Sequence, residues 1–423
     1  MKNNFICAID FGASKISGMV GLVNKSGKIT SLSMEVVSSK GIKNGRIADF
    51  SALSLSLEEL LKKLQKSSGF KIKDFYVNVS GNEITSGHSR AIIPLAQRGN
   101  QVITDSDIHR VKEQARILGT NLQEEIIHEI PFGYIVDADN FCRNPRELYA
   151  HRLEIDLLLI YAKLSYVQSV VRLSSQLGYS VKGVFYPGFI NGELSLGQSQ
   201  RRGIEFFCDI GADTTDLVMF KDGALQAIMV LAIGGNNITQ AISQKLNIPF
   251  DLADDTKRSS VVIGSPDNFL EDKEVMVSRG NNYMPIKQKE ISRIATEEAT
   301  KMCLEIKYAI NKMSSGDASA EAINCLSIAG RTVLQEGFME KLEELAGVPV
   351  RLIRIQNQHF LNNEIHNELT SSCAKVLTYL NPFSMIAYAL DSMQQDQIFH
   401  KAPPLKSISG VISKVKQVYQ QYF

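Results

Sequence analysis

Apolar positions along the chain follow two periods, and one pattern occurs twice. Phe5-Ile6-Cys7-Ala8-Ile9-Asp10-Phe11-Gly12-Ala13 is a strand-type run that stops at a turn. Phe206-Phe207-Cys208-Asp209-Ile210-Gly211-Ala212 does the same, with its Asp 199 residues after Asp10. Both runs reach Asp-apolar-Gly-Ala and pass through small or hydroxyl residues, Ser14 and Ser17 in one, Thr214 and Thr215 in the other. Each then resumes an apolar run, Gly18 to Val23 and Leu217 to Phe220. A strand, a tight turn and a strand, met twice, predict a duplicated domain. Composition predicts further strands at 75–79, 157–162 and 322–329. Helical spacing predicts helices at about 51–66, 105–118, 165–177, 236–246 and 289–313. Strands alternating with helices imply an α/β fold with covered sheets.

The length of 423 residues allows two to four core-forming units, and 44% apolar with 22% charged residues is an ordinary globular profile. Lys plus Arg (46) nearly balances Asp plus Glu (45), so no basic field points to nucleic acid as a partner. The six cysteines have no C-x-x-C spacing and the seven histidines no ligand spacing, so the expectation is reduced core cysteines and no metal centre at His128-Glu129. The start Met1-Lys2-Asn3-Asn4 lacks a signal-peptide apolar region, and no stretch approaches the ~20 apolar residues that cross a bilayer. The expected compartment is the cytoplasm.

The two turns carry the candidate chemistry. Glycine lets backbone approach phosphate oxygens, and successive N–H groups at such a turn form an anion nest. A carboxylate at the strand end, Asp10 or Asp209, cannot bind phosphate but can hold Mg2+ through its water shell. Two facing hairpins would clamp a triphosphate. Asp10-Phe11-Gly12 mimics a protein-kinase tripeptide, yet only nine residues precede it, too few for the catalytic loop that must lie upstream.

These residues resemble the actin and Hsp70 ATPase superfamily, and within it the bacterial cell-division FtsA family. Residues 10–17 look like the family's first phosphate loop, with Asp10, Gly12, Ala13, Ser14 and Lys15 in the site. Residues 209–216 look like the second, with Asp209, Gly211, Ala212, Asp213 and Thr214. Gly234-Gly235-Asn236 matches the glycine turn beside the nucleotide, and Asp254 and Lys257 fall where the family carries an acid and a ribose-side Lys. Ala329-Gly330-Arg331 stands at the adenosine loop. Two departures stand out. Ala212 and Asp213 replace later glycines of the second loop, and Arg331, flanking a single Gly330, could stack on adenine or block its slot. The resemblance implies ATP and Mg2+ as cofactors, and the departures imply turnover far below the ~10 s⁻¹ typical of enzymes.

The resemblance further implies an actin-like fold: two duplicated ribonuclease-H-like domains with an inserted α+β subdomain and a C-terminal amphipathic helix. Val77 to Asn82, His128 to Tyr134, Asn144-Pro145 and Ser39 to Gly45 resemble family stretches in and around that insertion. The implied division is 1–82 with 161–200 (subdomain IA), 83–160 (IC), 201–240 with 325–390 (IIA), 241–324 (IIB), a linker at 391–406 and a membrane-targeting helix at 407–423. Ile408, Val411, Ile412, Val415, Tyr419, Tyr422 and Phe423 share one face of that last segment, Lys414 and Lys416 add positive charge, and no acid follows Asp396. The implied partners are the FtsZ C-terminal tail, other divisome proteins, further copies of the chain and an anionic membrane surface. The implied place is the cytoplasmic face of the inner membrane. A pilus-assembly protein of the PilM type is the alternative, and residues 407–423 discriminate; a sugar or acetate kinase would need an acid-bearing second pocket that 83–160 does not show.

Overall fold

A computed structural model describes residues 4–95, 101–196, 203–264, 273–279, 282–315, 322–355 and 358–399. Two five-stranded sheets share one topology. In the first, the antiparallel strands Asn4–Phe11, Lys15–Val23 and Ile29–Ser38 are followed, on the other side of Asn4–Phe11, by the parallel strands Asp74–Asn78 and Ser180–Phe185. In the second, Ile204–Ile210, Thr215–Lys221 and Ala224–Leu231 form the antiparallel part, with Ile323–Ala329 and Val350–Leu352 parallel beyond Ile204–Ile210. The duplication read from the two Asp-x-Gly turns therefore extends to whole sheets.

Between Asp74–Asn78 and the helix Leu164–Gln176 lies a separate antiparallel sheet, ordered Asn140–Cys142, Glu124–Val136, Arg152–Lys163 and Ile84–Pro94, covered by the helix Asp105–Leu118. Arg152–Lys163 explains how it attaches. Leu153, Ile155, Leu157 and Leu159 face the small core of the insertion, while Leu158, Ile160 and Ala162 face the main core. A strand buried on both faces must be apolar at successive positions, so the run at 157–162 shows no alternation. The subdomain boundary expected at residue 160 falls inside this strand.

Helices Gly235–Leu246, Phe250–Ser260 and Gln288–Ser314 gather beside the hairpin Glu274–Arg279 with Asn282–Lys287. The helix Phe50–Ser68 is capped by Asp49, whose side chain accepts from Ala52 N, and ended by left-handed Gly69. The long helix Cys373–Phe399 returns to the first lobe, and it corrects one expectation. Residues 391–399, read as the start of a linker, continue this helix. Ala389 and Leu390 pin it to the core, and Ser-Met-Gln-Gln supports helix with no Gly or Pro before Pro403. The remainder of the linker and the segment 407–423 lie outside the described residues.

Candidate functional site: the interlobe cleft

The two hairpin turns are built alike. Gly12 N donates to Lys15 O at 3.1 Å, and Gly211 N donates to Thr214 O at 2.9 Å. A Cβ on either glycine would sit within 3 Å of that same carbonyl, at 2.8 Å from Lys15 O or 2.9 Å from Thr214 O, so glycine is required for the turn to close. The turns face one another across a cleft of about 650 Å³, lined by Asp10, Gly12, Ala13, Ser14, Lys15, Asp209, Gly211, Ala212, Asp213 and Thr214 among others.

Three of the carboxylates that line this cleft, Asp10, Asp209 and Asp216, lie on the strands of the two hairpins. Asp10 is buried and held by four neighbours: Asn78 Nδ2 (2.9 Å), Asn381 Nδ2 (3.0 Å), Ser17 Oγ (3.3 Å) and the charge of Lys15. Burial still raises its pKa. Burial, with Asp10 nearby, pushes Asp209 up to about 6. Burial and the facing Asp209 push Asp216 up to about 7, although Tyr186 Oη donates to it at 3.0 Å. Lys15 is pulled the other way, down to about 8, because burial outweighs Asp10.

Lys15 owes its position to a proline. Pro382 lies inside the helix Cys373–Phe399 and has no N–H, so the carbonyl one turn earlier, Thr378 O, has no helical donor. Lys15 Nζ and Ser17 Oγ (3.1 Å) donate to it instead. The same helix supplies Asn381 to Asp10.

The second lobe closes the other wall. Gly235 N and Asn236 N donate to Gly211 O (2.9 Å) and Ala212 O (2.7 Å), so the start of helix Gly235–Leu246 is locked onto the second turn. A Cβ at Gly234 would lie 2.4 Å from Ala212 O. Lys257 Nζ donates to Gly235 O (3.0 Å) and Thr239 Oγ1 (2.6 Å) and pairs with Asp254 at 2.8 Å. Burial pushes Asp254 upward, but Lys257 and Arg258 outweigh it and hold the pKa low. Asp213 spans the mouth. Its Oδ2 accepts from Asn44 N of the first lobe (2.7 Å) and its Oδ1 from Asn236 Nδ2 (2.6 Å). Arg331 also crosses, donating to Ser14 Oγ at 3.2 Å.

Of the residues singled out in the sequence, Gly234 and Ala329 do not line the cleft; the rest of the cleft set does. Gly234 supports the second turn from beneath, and Ala329 is fully buried at the strand end opposite Asp209. Sequence reading missed Asn78, Asp216, Arg258, Thr378 and Asn381, all of which line it. Hairpin register could have given Asp216, which pairs with Asp209 as Ser17 pairs with Asp10. Nothing local flags Asn381, 371 residues from Asp10. His128 is a buried core residue: its Nε2 accepts Tyr186 N at 2.9 Å among Phe185, Phe189 and Tyr388, and burial drives its pKa down to about 3. Four cysteines are buried, Cys142 is half-buried and Cys373 exposed, all as free thiols.

Comparison with known proteins adds the family. Residues 206–374 match the family model "Cell division protein FtsA", and 81–161 match "SHS2 domain inserted in FTSA". Together these cover more than half of the chain. The FtsA of Borreliella burgdorferi is 26% identical over 361 residues, covering 83% of this chain and 85% of that protein. The FtsA of Streptococcus pneumoniae is 24% identical over 421 residues, 99% of this chain and 89% of that one. Among solved structures, the PilM–PilN type IV pilus biogenesis complex superposes with a TM-score of 0.60 at 13% identity, over 91% of this chain and 98% of that chain. The ethanolamine utilization protein EutJ from Carboxydothermus hydrogenoformans reaches 0.50 at 13%, over 91% and 90%. At such identities the structures speak for the fold alone. With duplicated lobes, an insertion matched as the FtsA type and full-length likeness to FtsA proteins, the chain is an actin-like protein of the FtsA cell-division family.

Proposed function

We propose that the interlobe cleft binds Mg-ATP, and that the chain polymerises on the cytoplasmic face of the inner membrane and tethers the FtsZ ring to it. The observation that carries the cleft reading is the pair of glycine-closed turns facing each other beside Lys15 and three carboxylates. A divalent cation fits this donor set. Burial first, and then like charge from Asp10 on Asp209 and from Asp209 on Asp216, makes these two acids hold protons to unusually high pH, and a cation would relieve the second cause. No group of three His, Cys, Asp or Glu among the described residues is close enough to ligate a metal directly, so the carboxylates would hold Mg2+ through water. The ion would screen phosphate charge; the turn amides and Lys15 would orient the phosphates.

The tether reading rests on family membership and on the apolar stripe of 407–423 with Lys414 and Lys416. No helix among the described residues is long and apolar enough to cross a membrane. We assign the docking of the FtsZ tail to the 241–324 subdomain on the same family ground, with other divisome proteins as further partners. Polymerisation would multiply individually reversible membrane contacts. Two measurements test the reading. Mg-ATP should raise the melting temperature of the full chain, and Gly211→Asp should abolish that rise. A chain ending at Leu405 should stay in the supernatant when anionic liposomes are pelleted. No shift with millimolar ATP sinks the cleft assignment, and equal pelleting of the shortened chain sinks the anchor.

A further inference from the structure

Arg331 occupies the position where the adenosine loop was expected, yet its side chain runs elsewhere. Gly330 adopts φ +86, and a Cβ there would lie 2.2 Å from Ile210 O and 2.7 Å from Asp209 Oδ1. The backbone at this point is therefore pressed against the end of the second-lobe strand. The short helix Arg331–Leu334 starts from that contact and is pinned by Thr332 Oγ1, which donates to Gly211 O at 2.9 Å. From this fixed origin the Arg331 guanidinium crosses to Ser14 in the first turn. A guanidinium that ends on Ser14 lies between the two turns and does not lie flat in a base slot.

Its electrostatics point the same way. Its bond to Ser14 goes to a neutral hydroxyl, and no carboxylate pairs with it among the described residues. Its charged neighbours are the cation Arg258 and, with a smaller opposing effect, the carboxylate Asp254. Burial lowers its pKa and Arg258 lowers it further, while Arg331 in turn helps to depress Lys15. Lys257 and Arg258 pair with Asp254, whereas Arg331 and Lys15 donate to neutral oxygens, Ser14 Oγ and Thr378 O. A planar fork of N–H donors held by one neutral bond gains most from a phosphate, which accepts two charge-assisted bonds and relieves the crowding of like charge.

We propose that Arg331 is a specificity-determining residue that binds the phosphate chain of the nucleotide, selecting for polyphosphate anions, and is not a platform for the base. The proposal rests on the nucleotide reading of the cleft. A titration of the full chain by calorimetry tests it, using ATP and inorganic tripolyphosphate on wild type, Arg331→Ala, Arg331→Lys and Gly211→Asp. Thermal melts confirm that each variant is folded. Removing a charge-assisted bond should weaken both ligands roughly tenfold to a hundredfold in Arg331→Ala. Arg331→Lys should recover part of that loss, and added salt should weaken binding less in Arg331→Ala than in wild type. If ATP weakens while tripolyphosphate does not, Arg331 contacts the base and the proposal falls. Unchanged or tighter binding of both makes it a plug and also overturns it. A wild type from which tripolyphosphate cannot displace ATP overturns it too, while the cleft reading survives if Gly211→Asp still loses ATP. A wild type that binds neither ligand overturns both.

Discussion

Asp216 stands across the second hairpin from Asp209, where the first hairpin places Ser17 across from Asp10. Burial first, and then like charge from Asp10 on Asp209 and from Asp209 on Asp216, makes both acids keep their protons to higher pH than they would in the unfolded chain. The native state therefore binds more protons than the unfolded one from about pH 4 to neutrality, and stability falls as pH rises through that window. Lys15 has the opposite sign. Its amine is pulled down to about 8 from 10.5, so between those values stability rises with pH. Asp216→Asn keeps the acceptor for Tyr186 and removes the repulsion. Without divalent cations it should melt about 2 °C or more above wild type at pH 7.5, with the gain shrinking towards pH 4.5. Mg2+ should narrow the difference. A variant destabilised at both pH values would show that the carboxylate is needed for structure. Asp216 is hard to read locally because its neighbour Thr215 fits the hydroxyl pattern, and it joins the site only through the hairpin register that sets it opposite Asp209.

At the scale of elements, the hairpins were legible because turn, strand and chemistry sit within a dozen residues. The helices Phe50–Ser68 and Asp105–Leu118 were legible by their period, and both carry side-chain caps. The helix Cys373–Phe399 was not. It is buried on several sides between Val376 and Leu390, so it has no polar face to set a period, and it contains Pro382. Two of the cleft's missed donors and acceptors, Asn381 and Thr378 O, come from this one element. Helix Phe250–Ser260 was likewise unseen, since among its residues Ala253 and Thr256 alone are buried. Pro382 can be tested directly. Pro382→Ala restores an N–H that competes with Lys15 and Ser17 for Thr378 O, and removes a helix-interior penalty of up to ~3 kcal/mol, offset in part by lost ring packing. The ligand-free protein should melt a few degrees higher, and Lys15 should become more accessible to amine-directed reagents. A lower melting temperature with unchanged Lys15 reactivity would contradict this account of the freed carbonyl.

For the molecule as a whole, the helix that holds the first turn ends at Phe399, where the described structure stops short of the proposed anchor. A helix of 407–423 would be only about 25 Å long and marginal in water, so contact with lipid must supply its ordering free energy. Ile412→Glu with Val415→Glu should release the chain from liposomes. Lys414→Glu with Lys416→Glu should weaken pelleting less, and mainly on anionic lipid, as added salt does. Equal effects of the two pairs on neutral and anionic vesicles would remove the division between apolar and electrostatic parts. The contact of Asp213 with Asn44 has a consequence in time. If a ligand that must touch both turns enters only when this bond and that of Arg331 to Ser14 part, its arrival has a ceiling set by the protein and not by concentration. In rapid mixing with a fluorescent ATP analogue, the observed rate should level off as ligand increases. Asp213→Gly, which deletes a bond worth about 1.4 kcal/mol, should lift that plateau roughly tenfold. A wild-type rate that climbs in proportion to ligand without limit would mean that the mouth already stands open.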